Sequence, residues 1–242
     1  MKPSTKFLRI AGWVLLALAG LTMLYYVWHF TAPYNYGILD ALECILFVCA
    51  PLIAGGVLFA LSLDGAEKRR RAVRALLKIL FGFYLFTLLA ALVIMRIDFD
   101  NYAADRAFYQ SHWELMTNFI PFTTIRLYIR CLIYDFIGTT IPLSNLMGNV
   151  FLFMPMALFL PCIFPSMQRF WRFLLLMLAI LVAVEALQLA LCCGSCDVDD
   201  VILNLFGTLS VYGLIRIPFI KRFLVRCYLW PERAAADQPD NA

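Results

Sequence analysis

Phe170-Trp-Arg-Phe-Leu-Leu-Leu-Met-Leu-Ala-Ile-Leu-Val-Ala-Val-Glu185-Ala-Leu-Gln188-Leu-Ala-Leu-Cys-Cys193 reads as a stretch that crosses a membrane. Its apolar residues are continuous instead of alternating. That is the pattern of a lipid-embedded helix, which satisfies its own backbone hydrogen bonds, and not of a barrel strand. A hydrocarbon core about 30 Å thick takes roughly 20 helical residues. Five further runs are comparable in length: 10–30, 38–63, 73–95, 143–164 and 201–219. With 63% hydrophobic residues, against roughly 45–50% in a soluble domain, the expected fold is an all-α membrane protein with six transmembrane helices.

The first run follows Lys2, Lys6 and Arg9, and Ala17-Leu18-Ala19 resembles a leader cleavage site. The apolar stretch continues unbroken through Tyr26 and Val27, so an uncleaved span is expected. Basic residues then set the orientation. Six spans with the N-terminus inside gather Lys2, Lys6, Arg9, the Lys68–Arg71 cluster, Arg74, Lys78, Arg169, Arg172, Arg216, Lys221, Arg222, Arg226 and Arg233 on one side. Arg96, Arg106, Arg126 and Arg130 remain outside, in or beside one long loop, where positive charge weighs less. Both termini are therefore expected in the cytoplasm. This topology accounts for the formal net charge of +4, and no nucleic-acid partner is expected.

Within these runs lies a set of polar residues. At about 1.5 Å per residue, Asn149 falls about 9 Å below the outer end of its span, Glu185 about 12 Å, Gln188 about 8 Å and Asn204 about 6 Å. Asn145 and Asn149, and Asp200 and Asn204, are four apart, and Glu185 and Gln188 are three apart, so each pair shares a helix face. The expectation is a polar pocket open to the outside, bound by Asn145, Asn149, Glu185, Gln188, Asp197, Asp199, Asp200 and Asn204.

Four motifs, Asn118-Phe-Ile-Pro121-Phe, Asn145-Leu-Met-Gly148-Asn149-Val-Phe-Leu-Phe-Met-Pro155, Glu185-Ala-Leu-Gln188 and Asp197-Val-Asp199-Asp200-Val-Ile-Leu-Asn204-Leu-Phe-Gly207, resemble the VanZ-like integral membrane proteins in order and spacing. The resemblance covers roughly 115–215. It implies a bacterial cytoplasmic-membrane protein associated with resistance to glycopeptide antibiotics, teicoplanin above all. The chain then divides into a three-helix membrane region (1–95), a VanZ-like domain (96–220) and a cytoplasmic polar tail (221–242). Many members of the family place an Arg between the Glu-x-x-Gln element and the acidic run. Here Cys192-Cys193-Gly194-Ser195-Cys196 stands in that place, and Arg126 or Arg130 is the expected substitute.

A carboxylate at membrane depth is costly, about 2.5–3.5 kcal/mol on insertion scales, and is a functional hypothesis by default. Glu185 is accordingly the best candidate for a catalytic acid or base. The bland reading is that it joins Gln188, Asn145, Asn149 and Asn204 in interhelical hydrogen bonds worth about 0.6 kcal/mol each. Asp199 or Asp200 is placed to cap the last helix. Three carboxylates exceed what capping needs, which makes Asp197, Asp199 and Asp200 candidate ligands for a hard cation such as Mg²⁺ or Ca²⁺, without a glycine-rich calcium loop. Cys192, Cys193 and Cys196, with Cys131, offer either zinc ligation or a disulfide outside the cell. Cys44, Cys49, Cys162 and Cys227 read as packing residues. No haem or iron–sulfur signature appears and no cofactor is expected.

The connection 96–142 is too long for a bare link. Ile125, Ile129 and Leu132 form one stripe beside Arg126 and Arg130, which suits an amphipathic helix in the outer interface, begun after Pro121. Ser111, His112 and Glu114 sit too close in sequence to aim at one reacting atom. Tyr25, Tyr26 and Trp28 read as an interfacial belt, and residues 231–242 as a disordered polar tail. The favoured function is recognition of an amphipathic cell-envelope molecule, a lipid-linked wall precursor or a lipoglycopeptide. The alternatives are a metal-dependent enzyme acting on a lipid head group and a transporter, for which the inner halves of the last three spans offer no polar route.

Overall fold

The computed structural model describes residues 3–30, 38–134 and 138–231, with the side chains of 3–4, 27–30, 38–46 and 95 outside the description. The helices are α1 (Pro3–Phe30), α2 (Ile38–Leu61), α3 (Ala66–Leu92), α4 (Tyr102–Ser111), α5 (Thr123–Tyr134), α6 (Thr140–Leu152), α7 (Met154–Ile163), α8 (Phe170–Ala190), α9 (Val198–Leu214) and α10 (Pro218–Arg226), and all but α4, α5 and α10 follow the apolar runs. Among the described residues four segments are long and apolar enough to cross a membrane: Thr5–Tyr26, Ala66–Leu92, Thr140–Ile163 and Phe170–Ala190. The broken pair α9 and α10 makes a fifth if it is one span. The chain is thus an all-α, multi-pass membrane protein. Residues 232–242 of the polar tail lie outside the described residues.

The chain forms two compact units. The first holds α1, α2 and α3 as far as Tyr84, with the chain from Phe223. Here α1 and α2 meet backbone to backbone, since a Cβ on Gly12 would lie 2.9 Å from Phe59 N and one on Gly55 2.9 Å from Leu16 N. Small residues allow such close approach between membrane helices. Tyr26 is buried with Val48 and Phe83. It therefore serves the core, while Tyr25 stays exposed; the Trp28 side chain lies outside the description.

The second unit runs from Leu85 to Arg222 and carries every polar residue singled out above. The expected span 143–164 is interrupted at Phe153 into α6 and α7. Pro155 explains the break, because it has no N–H to give to the preceding turn and its ring crowds the carbonyl four residues back. At one end of the unit Tyr212 stacks on Phe173, with ring centroids 4.1 Å apart and 10° between planes. Tyr212 Oη donates to the Met167 carbonyl at 3.2 Å. Arg216 lies over the Tyr212 ring, 4.2 Å from its centroid, and donates to the Gln168 carbonyl.

At the opposite end α8 stops in a left-handed turn. Cys192 takes φ 53 and Cys193 N donates to Gln188 O at 2.9 Å. This is the six-to-one bond of a Schellman cap, with cysteine where glycine is usual. The chain then pairs with the long connection. Thr117–Asn118 (β1) and Cys196–Asp197 (β2) lie parallel, with Thr117 opposite Cys196 and Asn118 opposite Asp197.

Candidate functional site

A relay of carboxylates builds this end. Asp197 is the N-cap of α9 and accepts from Asp199 N at 2.8 Å. That corrects the expectation that Asp199 or Asp200 caps the helix, which begins two to three residues earlier than hydropathy places it. Glu185, from α8, accepts the Asp197 N–H through Oε2 at 3.0 Å. It thereby supplies from a neighbouring helix the bond that a capping-box glutamate makes within its own.

The same acidic run holds the segment 117–125. Asp197 Oδ1 also accepts from Asn118 Nδ2 at 2.9 Å, and its Oδ2 accepts from Thr124 Oγ1 at 2.6 Å. Asp199 is fully buried. It accepts the Phe122 N–H through Oδ1 and the Ile125 N–H through Oδ2, the latter at 3.0 Å. Those two amides open α5, so Asp199 caps a helix more than seventy residues away. Asn118 completes the turn by accepting from Ile120 N at 3.1 Å through its side chain.

The held segment is strained. Phe122 has φ 67, a region that bulky residues seldom enter and that persists only where surroundings impose it. Its tip is also apolar and open: Phe119 is 66% exposed, Ile120 71% and Phe122 48%. In α5 it is Cys131 that is buried, with Ile125, Tyr128 and Leu132 half-buried. Ile129, on the stripe expected to face the outer interface, is exposed together with Leu127, Ile133 and Tyr134.

Beside this lock, α6 and α9 share a triangle of polar groups. Asn149 Nδ2 donates to Asp200 Oδ1, while Asn204 Nδ2 donates to Asp200 O at 2.8 Å and to Asn149 Oδ1 at 3.3 Å. One turn further along α9, Gly207 permits the contact, since a Cβ there would stand 1.9 Å from Val150 O. Gln188 is buried but turns to α3, donating to Leu92 O at 2.9 Å. Asn145 does not join. It is exposed and donates to Ile141 O in its own helix at 3.0 Å. It lies one turn before Asn149, where α9 has barely begun and offers no partner.

The candidate metal ligands do not converge. Among the described residues no group of three His, Cys, Asp or Glu side chains is arranged to hold an ion, and the Asp197 and Asp199 oxygens are occupied by protein donors. Cys131, Cys192, Cys193 and Cys196 are free thiols. Ser111 Oγ and His112 Nδ1 do approach to 2.8 Å. Both are exposed, and they also bond to carbonyls of their own helix turn, at Ala107 and Phe108.

Two contributors were not among the expected site residues. Asn118 and Thr124 belong to the lock, and the Asn118-Phe-Ile-Pro121-Phe motif was the available signal. The cation near Gly194 is Arg96, whose Nη1 lies 3.4 Å from where a Gly194 Cβ would stand. Glycine at 194 leaves that space to a guanidinium from another element, and neither Arg126 nor Arg130, expected there, is the cation found beside it.

Outside the spans, burial raises the Cys196 thiol above its usual range, with the Glu185 and Asp197 carboxylates adding to the shift. The folded chain therefore holds that proton more tightly than the unfolded chain. The associated stability is present below the unfolded thiol value, about 8.5, and is lost as pH rises through the folded one. Site-resolved alkylation at pH 8 is expected to be slower at Cys196 in the folded protein than in the denatured chain, with its rate profile displaced to higher pH. Equal rates and profiles in both states would contradict this.

Fold and site together define a polytopic helical membrane protein whose polar end is assembled from α6, α8, α9 and the 117–125 segment. The family model described as VanZ/LLP1 matches residues 81–220, more than half of the chain and all of this end. The chain belongs to the VanZ/LLP1 family. No curated protein and no solved structure matches it.

Proposed function

We propose that this is a six-span protein of a bacterial cytoplasmic membrane, with both termini inside, that recognises an amphipathic cell-envelope lipid or lipoglycopeptide at the outer ends of α6, α8 and α9. Membership of the VanZ/LLP1 family supports a place in teicoplanin-type resistance. The observation that carries the reading is the convergence of Glu185, Asp200, Asn149 and Asn204 at one end of the helices, beside an open apolar tip formed by Phe119, Ile120 and Phe122. On this reading the tip and the exposed apolar side chains of α5 rest in the outer interface. Polar contacts would orient a head group while the tip meets its apolar part.

Glu185→Gln provides the test, because it keeps an acceptor for Asp197 N and removes the charge. With expression and folding confirmed, lipid co-purifying with the protein is expected to fall and teicoplanin susceptibility to rise. Unchanged lipid content together with unchanged susceptibility would sink the reading.

A further inference from the structure

The triangle of Asp200, Asn149 and Asn204 fixes the orientation of both amides. Asn149 has to present Nδ2 to Asp200 Oδ1, and Asn204 has to present Nδ2 to Asp200 O and Asn149 Oδ1. Flipping either amide would set oxygen against oxygen. The atom left over is therefore an acceptor. Asn204 is 3% exposed, and its Oδ1 is buried with no donor among the described residues. Native structures seldom leave such a group unpaired.

Its surroundings specify the missing partner. Among the described residues Asp200 Oδ2 and Glu185 Oε1 also receive no donor. None of the four carboxylates at this end makes a salt bridge with a described residue. Arg96 acts electrostatically on Glu185 and Asp200 without bonding either, one guanidinium against four carboxylates, so the cluster keeps an excess of negative charge and unmet acceptors that suit a positively charged donor. Along the same two helices Met147, Phe151 and Phe206 leave apolar side chains exposed, which suits a donor attached to an acyl chain better than a bare ion.

We propose that this corner binds the primary ammonium of an amphipathic ligand, with Asn204 Oδ1 and Asp200 Oδ2 accepting its N–H groups. An ammonium has three donors and no acceptor, so it can meet these oxygens without repelling one. The inference deepens the lipid-recognition reading and rests on it.

The test is native mass spectrometry of the full-length protein with three lipids of matched chains. Phosphatidylethanolamine carries the ammonium, phosphatidylcholine carries a quaternary nitrogen without N–H, and phosphatidylglycerol carries no amine. Phosphatidylethanolamine is expected to be retained about tenfold more strongly than the other two, the value of one charge-assisted hydrogen bond. Asn204→Leu and Asp200→Asn should bring the three to near parity. Asp200→Asn keeps the oxygen that Asn149 requires, so its thermal unfolding temperature should stay close to that of wild type. Competition by free ethanolamine as effective as by the lipid would support the ammonium site and assign it to a water-soluble amine. A preference for phosphatidylglycerol, or equal retention of all three lipids, would overturn the ammonium inference and leave lipid recognition standing. Retention of no lipid by the wild-type protein would remove both.

Discussion

Replacing Asp199 with asparagine is expected to free the segment 117–125 while leaving the helices in place. Both Asp199 oxygens accept backbone N–H groups, from Phe122 and Ile125. Asparagine keeps one acceptor and turns an NH₂ toward the other amide, so one of the two bonds is lost and its buried donor is left facing a second donor. Hydrogen bonds to a charged acceptor are worth about 1.5–3 kcal/mol; losing one and setting an NH₂ against the freed donor costs on the order of 3 kcal/mol. Because Phe122 holds φ 67 against its own preference, the backbone should relax once released. Hydrogen exchange would rise at Phe122 and Ile125, and proteolysis would appear near Phe119. Unaltered exchange at both amides would show that Asp199 does not hold the segment.

Gly207→Ala is expected to damage the α6–α9 contact more than any other single methyl in the second unit. The new Cβ would stand 1.9 Å from Val150 O and 2.9 Å from Val150 C. Both are backbone atoms, so relief requires the helices to move apart instead of a side chain turning. The cost should reach or exceed the ~1–3 kcal/mol of ordinary overpacking. Separation would also stretch the Asn204–Asn149 bond, already 3.3 Å. Unfolding temperature in detergent should fall by several degrees, and the amine-dependent lipid preference should weaken with it. A variant as stable as wild type would mean that the two helices do not meet so closely.

The helices were legible because lipid imposes one rule on every span, and continuous apolar runs therefore mark them directly. Their ends were less so. Hydropathy placed the start of the last helix at 201, whereas the cap is Asp197 and the first turn is acidic; polar capping residues are invisible to a hydropathy count. The break at Phe153 required weighing Pro155 inside an apolar run that reads as continuous.

For the candidate site, helix periodicity paired Asp200 with Asn204 and set Asn149 at the same depth, and the three meet. It misplaced Asn145, because a shared helix face becomes a shared site only where a neighbouring helix stands opposite. Asn118, Thr124 and Arg96 reach their positions through tertiary contacts, some spanning more than seventy residues. No local period encodes such a contact, and the empty space at Gly194 acquires meaning only when Arg96 is seen beside it.

The lock between Asp197, Asp199 and the 117–125 segment also sets an order of events during synthesis. Asn118 and Asp197 are 79 residues apart. At roughly 5–20 residues per second, the earlier partner waits ~4–16 s for the later one. Throughout that interval α6, α7 and α8 are made and inserted, while a segment with three apolar side chains at its tip has no carboxylate to hold it. The acidic turn that opens α9 thus arrives after the segment it holds, and its arrival closes the lock on 117–125. A chain stalled before residue 197 should present Phe119, Ile120 and Phe122 to whatever chaperone or protease attends the membrane, and a finished chain should withdraw that signal.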